Sequence, residues 1–138
     1  MTQVIDYGTS APRASRGAAF WTGWLISVLP VFALLFSAAM KLARPPAVIE
    51  GFHKFGYPDH LIRVLGVVEL ACAIIYLIPR TAVLGAVLCT GYLGGAVATH
   101  ARMDDPQFVM PFLCGVLLWL GLFLRDRRLR ELLPFRSK

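Results

Sequence analysis

Charged residues are scarce in this chain of 138 residues, where they make up 16% of the total, against 57% for hydrophobic residues. Soluble domains carry about 25% charged residues. So small a domain also has too little interior to bury this much apolar surface. Intrinsic disorder is excluded because disordered chains are poor in hydrophobic residues. The composition therefore predicts an integral membrane protein.

Cysteine and histidine are few and are not spaced for redox or metal chemistry. The three cysteines, Cys72, Cys89 and Cys114, each lie in an apolar run and none forms a Cys-x-x-Cys pair. This spacing argues against a dithiol oxidoreductase and favours small buried hydrophobic side chains. No two histidines share a helical ligand spacing, and the Glu-x-x-His repeat of di-iron bundles is absent. We therefore predict no metal site, and no resident cofactor is evident.

Basic residues outnumber acidic ones by 14 to 8. Six of these cations follow Leu124, namely Arg125, Arg127, Arg128, Arg130, Arg136 and Lys138. A basic cluster directly after an apolar run is typical of the cytoplasmic end of a membrane protein. A nucleic-acid interface is the other common use of such a charge. The position of the cluster favours the lipid bilayer as the partner, and we predict no nucleic acid.

Four apolar runs are long enough to cross a bilayer as helices, and they occupy residues 17–40, 61–79, 81–99 and 106–124. At 1.5 Å per residue, about 20 residues cross the hydrocarbon core. The predicted fold is thus an all-α membrane protein, a four-helix transmembrane bundle at residues 17–124. We expect residues 1–16 to be a disordered cytoplasmic tail and residues 125–138 to be a basic cytoplasmic tail.

The first connection differs from the other two because it is long and amphipathic. Pro46 suits the first turn of a helix, and Val48, Ile49 and Phe52 fall on one face of it. This pattern predicts an interfacial helix that ends at Gly56. More of the loop and tail cations lie on the side of the two termini, which places both termini in the cytoplasm. The interfacial helix then lies outside, and Asp59 is expected to cap the second span.

Glu69 is the most informative residue because it is a carboxylate inside a membrane span. Insertion of such a group costs roughly 2.5–3.5 kcal/mol, so it is expected to face protein and to have a partner. Helical spacing places it on one stripe with Gly66 and Tyr76, and we predict that this stripe faces the bundle. Lys41, which closes the first span, is the favoured partner. Two interpretations stay open: a hydrogen-bonding group for a ligand, or a structural ion pair.

Lys41, Glu69, His100 and Arg102 are predicted to converge at the outer side as a ligand-binding set. Two of these residues also have a simpler alternative. Lys41 can extend its amine to the membrane surface, and His100 can be an interfacial histidine without a ligand. Residues 104–105 are expected to form a solvated turn.

Two further features have structural interpretations. Arg80 follows a proline in the tight second connection, and we predict that it anchors the turn near lipid phosphate. Gly91, Gly94 and Gly95 form a small-residue face on the third span. Such a face permits close approach between helices. We predict packing inside the bundle, with a homodimer face as the alternative.

The chain resembles the DoxX-like family of small bacterial four-span membrane proteins from about Phe36 to Pro134. Several motifs carry this resemblance in their order and spacing. They are the lysine that closes the first span, Gly-x-x-Glu-Leu at residues 66–70, the Pro-Arg turn at residues 79–80, Gly-Gly-Ala at residues 94–96, and the His-Ala-Arg end of the third span at residues 100–102.

The resemblance implies a function more loosely than a fold. The family is named for a subunit of a thiosulfate:quinone oxidoreductase associated with a terminal quinol oxidase, and other members are similar to membrane partners of redox or detoxification enzymes. It implies an accessory subunit in the bacterial inner membrane, with quinone as the ligand and a membrane or soluble redox protein as the partner. A small-molecule or lipid carrier and a structural membrane anchor are the alternatives. Whether the chain is itself an enzyme is left open.

Overall fold

The computed structural model describes residues 17–132, and these form helices joined by short connections. The helices are α1 (Ala18–Ala43), α2 (Pro46–Lys54), α3 (Asp59–Leu77), α4 (Ala82–Arg102), α5 (Val109–Arg125) and α6 (Arg127–Leu132). A single 3-10 turn at Pro106–Phe108 precedes α5. The predicted all-α bundle with four spans is confirmed. The tail predicted at residues 1–16 and the last six residues of the basic tail lie outside the described residues.

The four long helices have the length and hydropathy of membrane spans, and their boundaries lie within three residues of the predicted ones. Their outward faces are apolar, as shown by Leu25, Phe32, Val67 and Met110, whose exposed fractions are 74%, 67%, 57% and 66%. Such a surface is unfavourable in water but suits contact with lipid tails. The chain is therefore a multi-pass membrane protein.

The spans form a closed ring in the order α1, α3, α4, α5. Helix α1 packs against α3 and α5, and α4 packs against the same two helices. Neighbouring spans run in opposite directions, as in other up-and-down bundles. Helix α2 contacts α3 and lies where α1 ends and α3 begins, and we call this end of the bundle the α2 end. The opposite end, where α5 leads into α6, is the α6 end.

The connections confirm some expectations and correct others. Helix α2 begins at Pro46 as predicted, and Gly56, with φ of +78°, ends the segment in a left-handed conformation. Asp59 does not cap α3 through its side chain. Its carboxylate instead accepts a hydrogen bond from Arg44 Nη2 at 2.8 Å and pairs with His53, because both groups converge beside the start of α3. Arg80 is exposed in the turn between α3 and α4, and its role as a lipid anchor stays a prediction.

A buried tyrosine joins three helices in the half of the bundle nearer the α6 end. The Tyr76 hydroxyl donates to the Leu118 carbonyl at 2.7 Å and lies 2.9 Å from Ser27 Oγ. The Arg125 guanidinium covers the Tyr76 ring at 4.6 Å and the Trp24 ring at 4.2 Å. The hydrogen bonds satisfy the hydroxyls of Tyr76 and Ser27 in an otherwise apolar core, as buried polar groups require. Two nitrogens of Arg125, Nε and Nη1, are buried without a hydrogen-bond partner among the described residues. From the sequence, Tyr76 was predicted only to face the interior of the bundle.

The close helix contacts are made by glycines other than the predicted ones. A Cβ atom on Gly23 of α1 would lie 2.6 Å from the Gly121 carbonyl oxygen of α5, so these two backbones touch. A Cβ atom on Gly91, Gly94 or Gly95 would meet nothing within 4 Å. The predicted packing of α4 through these three glycines inside the bundle is therefore wrong. Their side of α4 borders cavities, and the homodimer alternative stays a prediction.

Alanine substitutions at two of these glycines are expected to have different effects. Gly121→Ala places a methyl group 2.8 Å from the Gly23 carbonyl oxygen and should destabilise the fold by about 1–3 kcal/mol through overpacking. In Gly95→Ala the added methyl group lies in open space, and alanine favours helix more than glycine does. The thermal midpoint of this variant in detergent should therefore not fall below that of the wild type. Equal losses at both positions would contradict this packing.

Candidate functional site

A buried ion pair connects α1 and α3 near the α2 end. Lys41 lies in the last turn of α1, and its Nζ donates to Glu69 Oε2 at 2.9 Å and to Ser37 Oγ at 2.5 Å. Glu69 is only 3% exposed. The predicted pairing of Lys41 with Glu69 is confirmed. The carboxylate has the partner that its position in an apolar span demands.

Gly66 makes this pair possible. A Cβ atom there would lie 2.9 Å from Lys41 Cβ and 3.3 Å from the Ala38 carbonyl oxygen. Because Gly66 has no side chain, α1 approaches α3 closely enough for the lysine to reach a carboxylate three residues further along α3. The Gly-x-x-Glu motif and the lysine that closes α1 thus act together as one geometric unit.

The pair borders a cavity of about 520 Å³ at the α2 end. This volume falls in the usual range for small-molecule sites, which are mostly apolar with a few polar groups. The aromatic part of the lining consists of Phe52, Phe55, Tyr57, Tyr92 and His100. Gly91 and Gly95 also line it. Since they carry no Cβ atom, they provide space where larger residues would fill the cavity.

His100 is held at the edge of this cavity by Asp105. Its Nδ1 atom lies 2.8 Å from Asp105 Oδ2, and its ring packs edge-on against Phe55. The backbone N–H of Gln107 donates to Asp105 Oδ1 at 3.0 Å. This backbone bond, followed by the bond to His100, lowers the pKa of the Asp105 carboxyl. An ionised carboxylate only accepts hydrogen bonds, so Nδ1 carries a proton and a neutral His100 offers Nε2 as an acceptor.

Asp105 is therefore not the solvated turn residue that its sequence position predicted. Its side chain is only 25% exposed and is bonded on both oxygens. Asp104 is exposed and adopts a positive φ of 52°, which turns the chain back after α4. The sequence signal that was available is the Asp-Pro pair that precedes α5, where an aspartate commonly accepts the hydrogen bond of the residue two positions later.

Arg102 does not line the cavity, although it was predicted to bind ligand. It is exposed, and its Nη2 donates to the Phe55 carbonyl oxygen at 3.0 Å. The end of α4 is thereby tied to the end of the interfacial segment. A second tie joins the Tyr57 hydroxyl to Thr99 Oγ1 at 2.7 Å. These bonds hold the aromatic residues of the first connection over the cavity, and Tyr57 was not identified from sequence.

Metal chemistry has no candidate centre in the part of the chain that the structure describes. Among residues 17–132, no three His, Cys, Asp or Glu side chains are grouped as metal ligands. The lining of the cavity offers hydrogen bonds and aromatic surfaces: Lys41 as a donor, Glu69 as an acceptor, the imidazole of His100, and rings from α2 and α4. This combination suits a compact and partly aromatic polar group.

A family model matches the chain. The description of that family is DoxX-like, and the match extends over residues 25–121, more than half of the chain. It starts earlier in α1 than the motifs indicated and ends within α5. The match includes Lys41, Glu69 and His100. No curated protein and no solved structure matches the chain.

A double-mutant cycle tests whether Lys41 and Glu69 stabilise the fold as a pair. Lys41→Met and Glu69→Gln should each cost about 3–5 kcal/mol, because each leaves the partner charge buried without compensation. The double variant should recover part of that loss when unfolding is measured in detergent. Arg44→Met with Asp59→Asn, a more exposed pair at the same end, is the matched control and should show a much smaller coupling. Additive losses at Lys41 and Glu69 would rule out the pair as a structural element.

Proposed function

The chain belongs to the DoxX-like family, and on this premise we propose that it is an accessory membrane subunit of a quinone-linked redox system that binds a quinone head group at the α2 end. The observation that carries the proposal is the buried Lys41–Glu69 pair beside an aromatic cavity of about 520 Å³. A quinone ring is flat and apolar, and its carbonyl oxygens accept hydrogen bonds. The cavity combines surfaces and donors of this kind.

The residues at the cavity fit such a head group. A lysine ammonium has three N–H donors, and Lys41 uses two of them, for Ser37 and Glu69. The third is free to donate to a quinone carbonyl oxygen. Neutral His100 can accept from a hydroxyl of the reduced form through Nε2, while Phe52 and Phe55 provide ring surfaces. A bound quinone would supply the electron-accepting chemistry, and these residues would bind and orient it.

The proposal includes an orientation in the bacterial inner membrane. Arg125 and the three arginines of α6, Arg127, Arg128 and Arg130, lie at the α6 end. By the positive-inside rule this end belongs in the cytoplasm. Both termini would then be cytoplasmic, and the cavity would lie in the outer half of the membrane. A redox partner protein would meet the bundle on that side.

Purification in mild detergent tests the quinone proposal. We expect wild-type protein to retain quinone, measured by extraction and chromatography. The Lys41→Met/Glu69→Gln double variant should retain roughly 10- to 100-fold less, since it lacks a charge-assisted hydrogen bond. The Arg44→Met/Asp59→Asn variant is the control, because neither residue lines the cavity, and its quinone content should match wild type.

Other contents of the purified protein would overturn the quinone proposal. A phospholipid or a soluble metabolite in place of quinone supports a carrier. A protein that stays tightly bound to the chain, with no small molecule in the cavity, supports a membrane anchor.

The orientation has its own test. A fluorescent protein fused after Lys138 should be bright, and alkaline phosphatase fused there should be inactive, because the C-terminal cations hold that end in the cytoplasm. The same two reporters inserted after Gly56, in the first connection, serve as the reciprocal control and should give the opposite pattern. Active phosphatase at the C-terminus would reverse the orientation and place the cavity on the cytoplasmic side.

A further inference from the structure

A second cavity lies between α4 and α5 and is almost entirely apolar. It measures about 920 Å³ and is lined by residues such as Gly94, Val97, Phe112, Gly115 and Trp119. We call it the α4–α5 groove. Its polar side chains bond to each other, since Trp119 Nε1 donates to Thr90 Oγ1 at 2.8 Å. An apolar occupant would therefore leave neither of these groups newly unpaired.

The α4–α5 groove adjoins the cavity at the α2 end. Leu93 of α4 and Pro111 of α5 line both of them. From this shared border the groove follows α5 as far as Phe123. Twelve residues at 1.5 Å each make a length of about 18 Å. This length suits an extended hydrocarbon chain and exceeds what a head group alone would occupy.

Two glycines give the groove its depth. A Cβ atom on Gly94 would meet nothing within 4 Å, and one on Gly115 would reach only Leu93 Cδ1, at 3.8 Å. Neither glycine is therefore required for contact between helices. Their lack of side chains leaves room along the path that begins at Leu93 and Pro111.

We propose that the ligand is a long-tailed amphiphile whose polar head lies beside Lys41 and Glu69 and whose apolar tail lies in the α4–α5 groove. This inference rests on the proposed function and specifies the ligand as a lipid-soluble quinone that carries an isoprenoid tail. The groove borders the lipid-facing side of α4 and α5, where Leu88 and Leu120 are exposed. The ligand enters sideways from the bilayer between these two helices.

The test compares two quinones that share one ring, a benzoquinone with a long isoprenoid tail and the same benzoquinone with a methyl group in its place. Gly94→Leu fills the groove without touching the head site, and leucine favours helix more than glycine does. Binding is measured in nanodiscs as a function of quinone mole fraction. We expect Gly94→Leu to weaken binding of the tailed quinone by about tenfold and to leave the affinity for the methyl quinone unchanged. Val87→Leu is the control, because Val87 is exposed on α4 and lines neither cavity.

The possible outcomes distinguish an error in the tail assignment from an error in the head site. If Gly94→Leu binds the tailed quinone as wild type does, the tail assignment is overturned while the head site stands. If wild type binds neither quinone, the proposed function fails and the tail assignment fails with it. If Gly94→Leu instead converts a dimer of the wild type to a monomer without a selective effect on the tailed quinone, the groove is an interface between two copies and the inference is wrong.

Discussion

The buried pair of Lys41 and Glu69 is the constraint on which the rest of the α2 end depends. A carboxylate at this depth of a span needs a compensating cation within hydrogen-bonding distance, and Lys41 Nζ provides it at 2.9 Å. That distance requires close contact between α1 and α3, which Gly66 permits. With these two helices drawn together, α4 and α5 complete the ring on the far side of the pair. The space that the four spans enclose beside the pair is the cavity at the α2 end.

The two halves of the bundle are packed differently, and the difference has a physical cause. Towards the α6 end, Gly23 contacts Gly121, and a Cβ atom on Gly85 would collide with the backbone at Tyr76. Backbones that touch in this way, together with the buried Tyr76 hydroxyl, hold α1, α3, α4 and α5 in direct contact there. At the α2 end the glycines of α4 face open space instead. The closely packed half at the α6 end fixes the positions of the helices. The cavity in the other half can therefore keep its shape although no side chains fill it.

Features that follow from the chemistry of a single residue were predicted correctly from the sequence. Features that depend on how the helices pack against each other were not. A carboxylate in an apolar run has a known free-energy cost in the membrane and therefore needs a cation beside it. For this reason Glu69 and its partner Lys41 could be predicted. A Gly-x-x-x-Gly pattern states only that one helix face is small. Whether that face meets a helix or a void depends on how the other spans are placed, so Gly91 and Gly95 were assigned to packing when they border a cavity. The Tyr57–Thr99 bond was missed because these residues are far apart in sequence and meet only in the tertiary structure. Asp105 bonds to residues near it in the chain, and the Asp-Pro pair was the local signal for it.

The structural and ligand-binding interpretations of Glu69 are compatible, and together they constrain the charge of the ligand. Lys41 and Glu69 neutralise each other. A charged head group inserted beside them would add an uncompensated charge in a place where burial of charge is expensive. A neutral group that only accepts the remaining Lys41 hydrogen bond avoids this cost. Quinones are neutral when oxidised and again when fully reduced. The pair therefore favours a neutral, hydrogen-bonding head and disfavours carboxylates and phosphates at the same position.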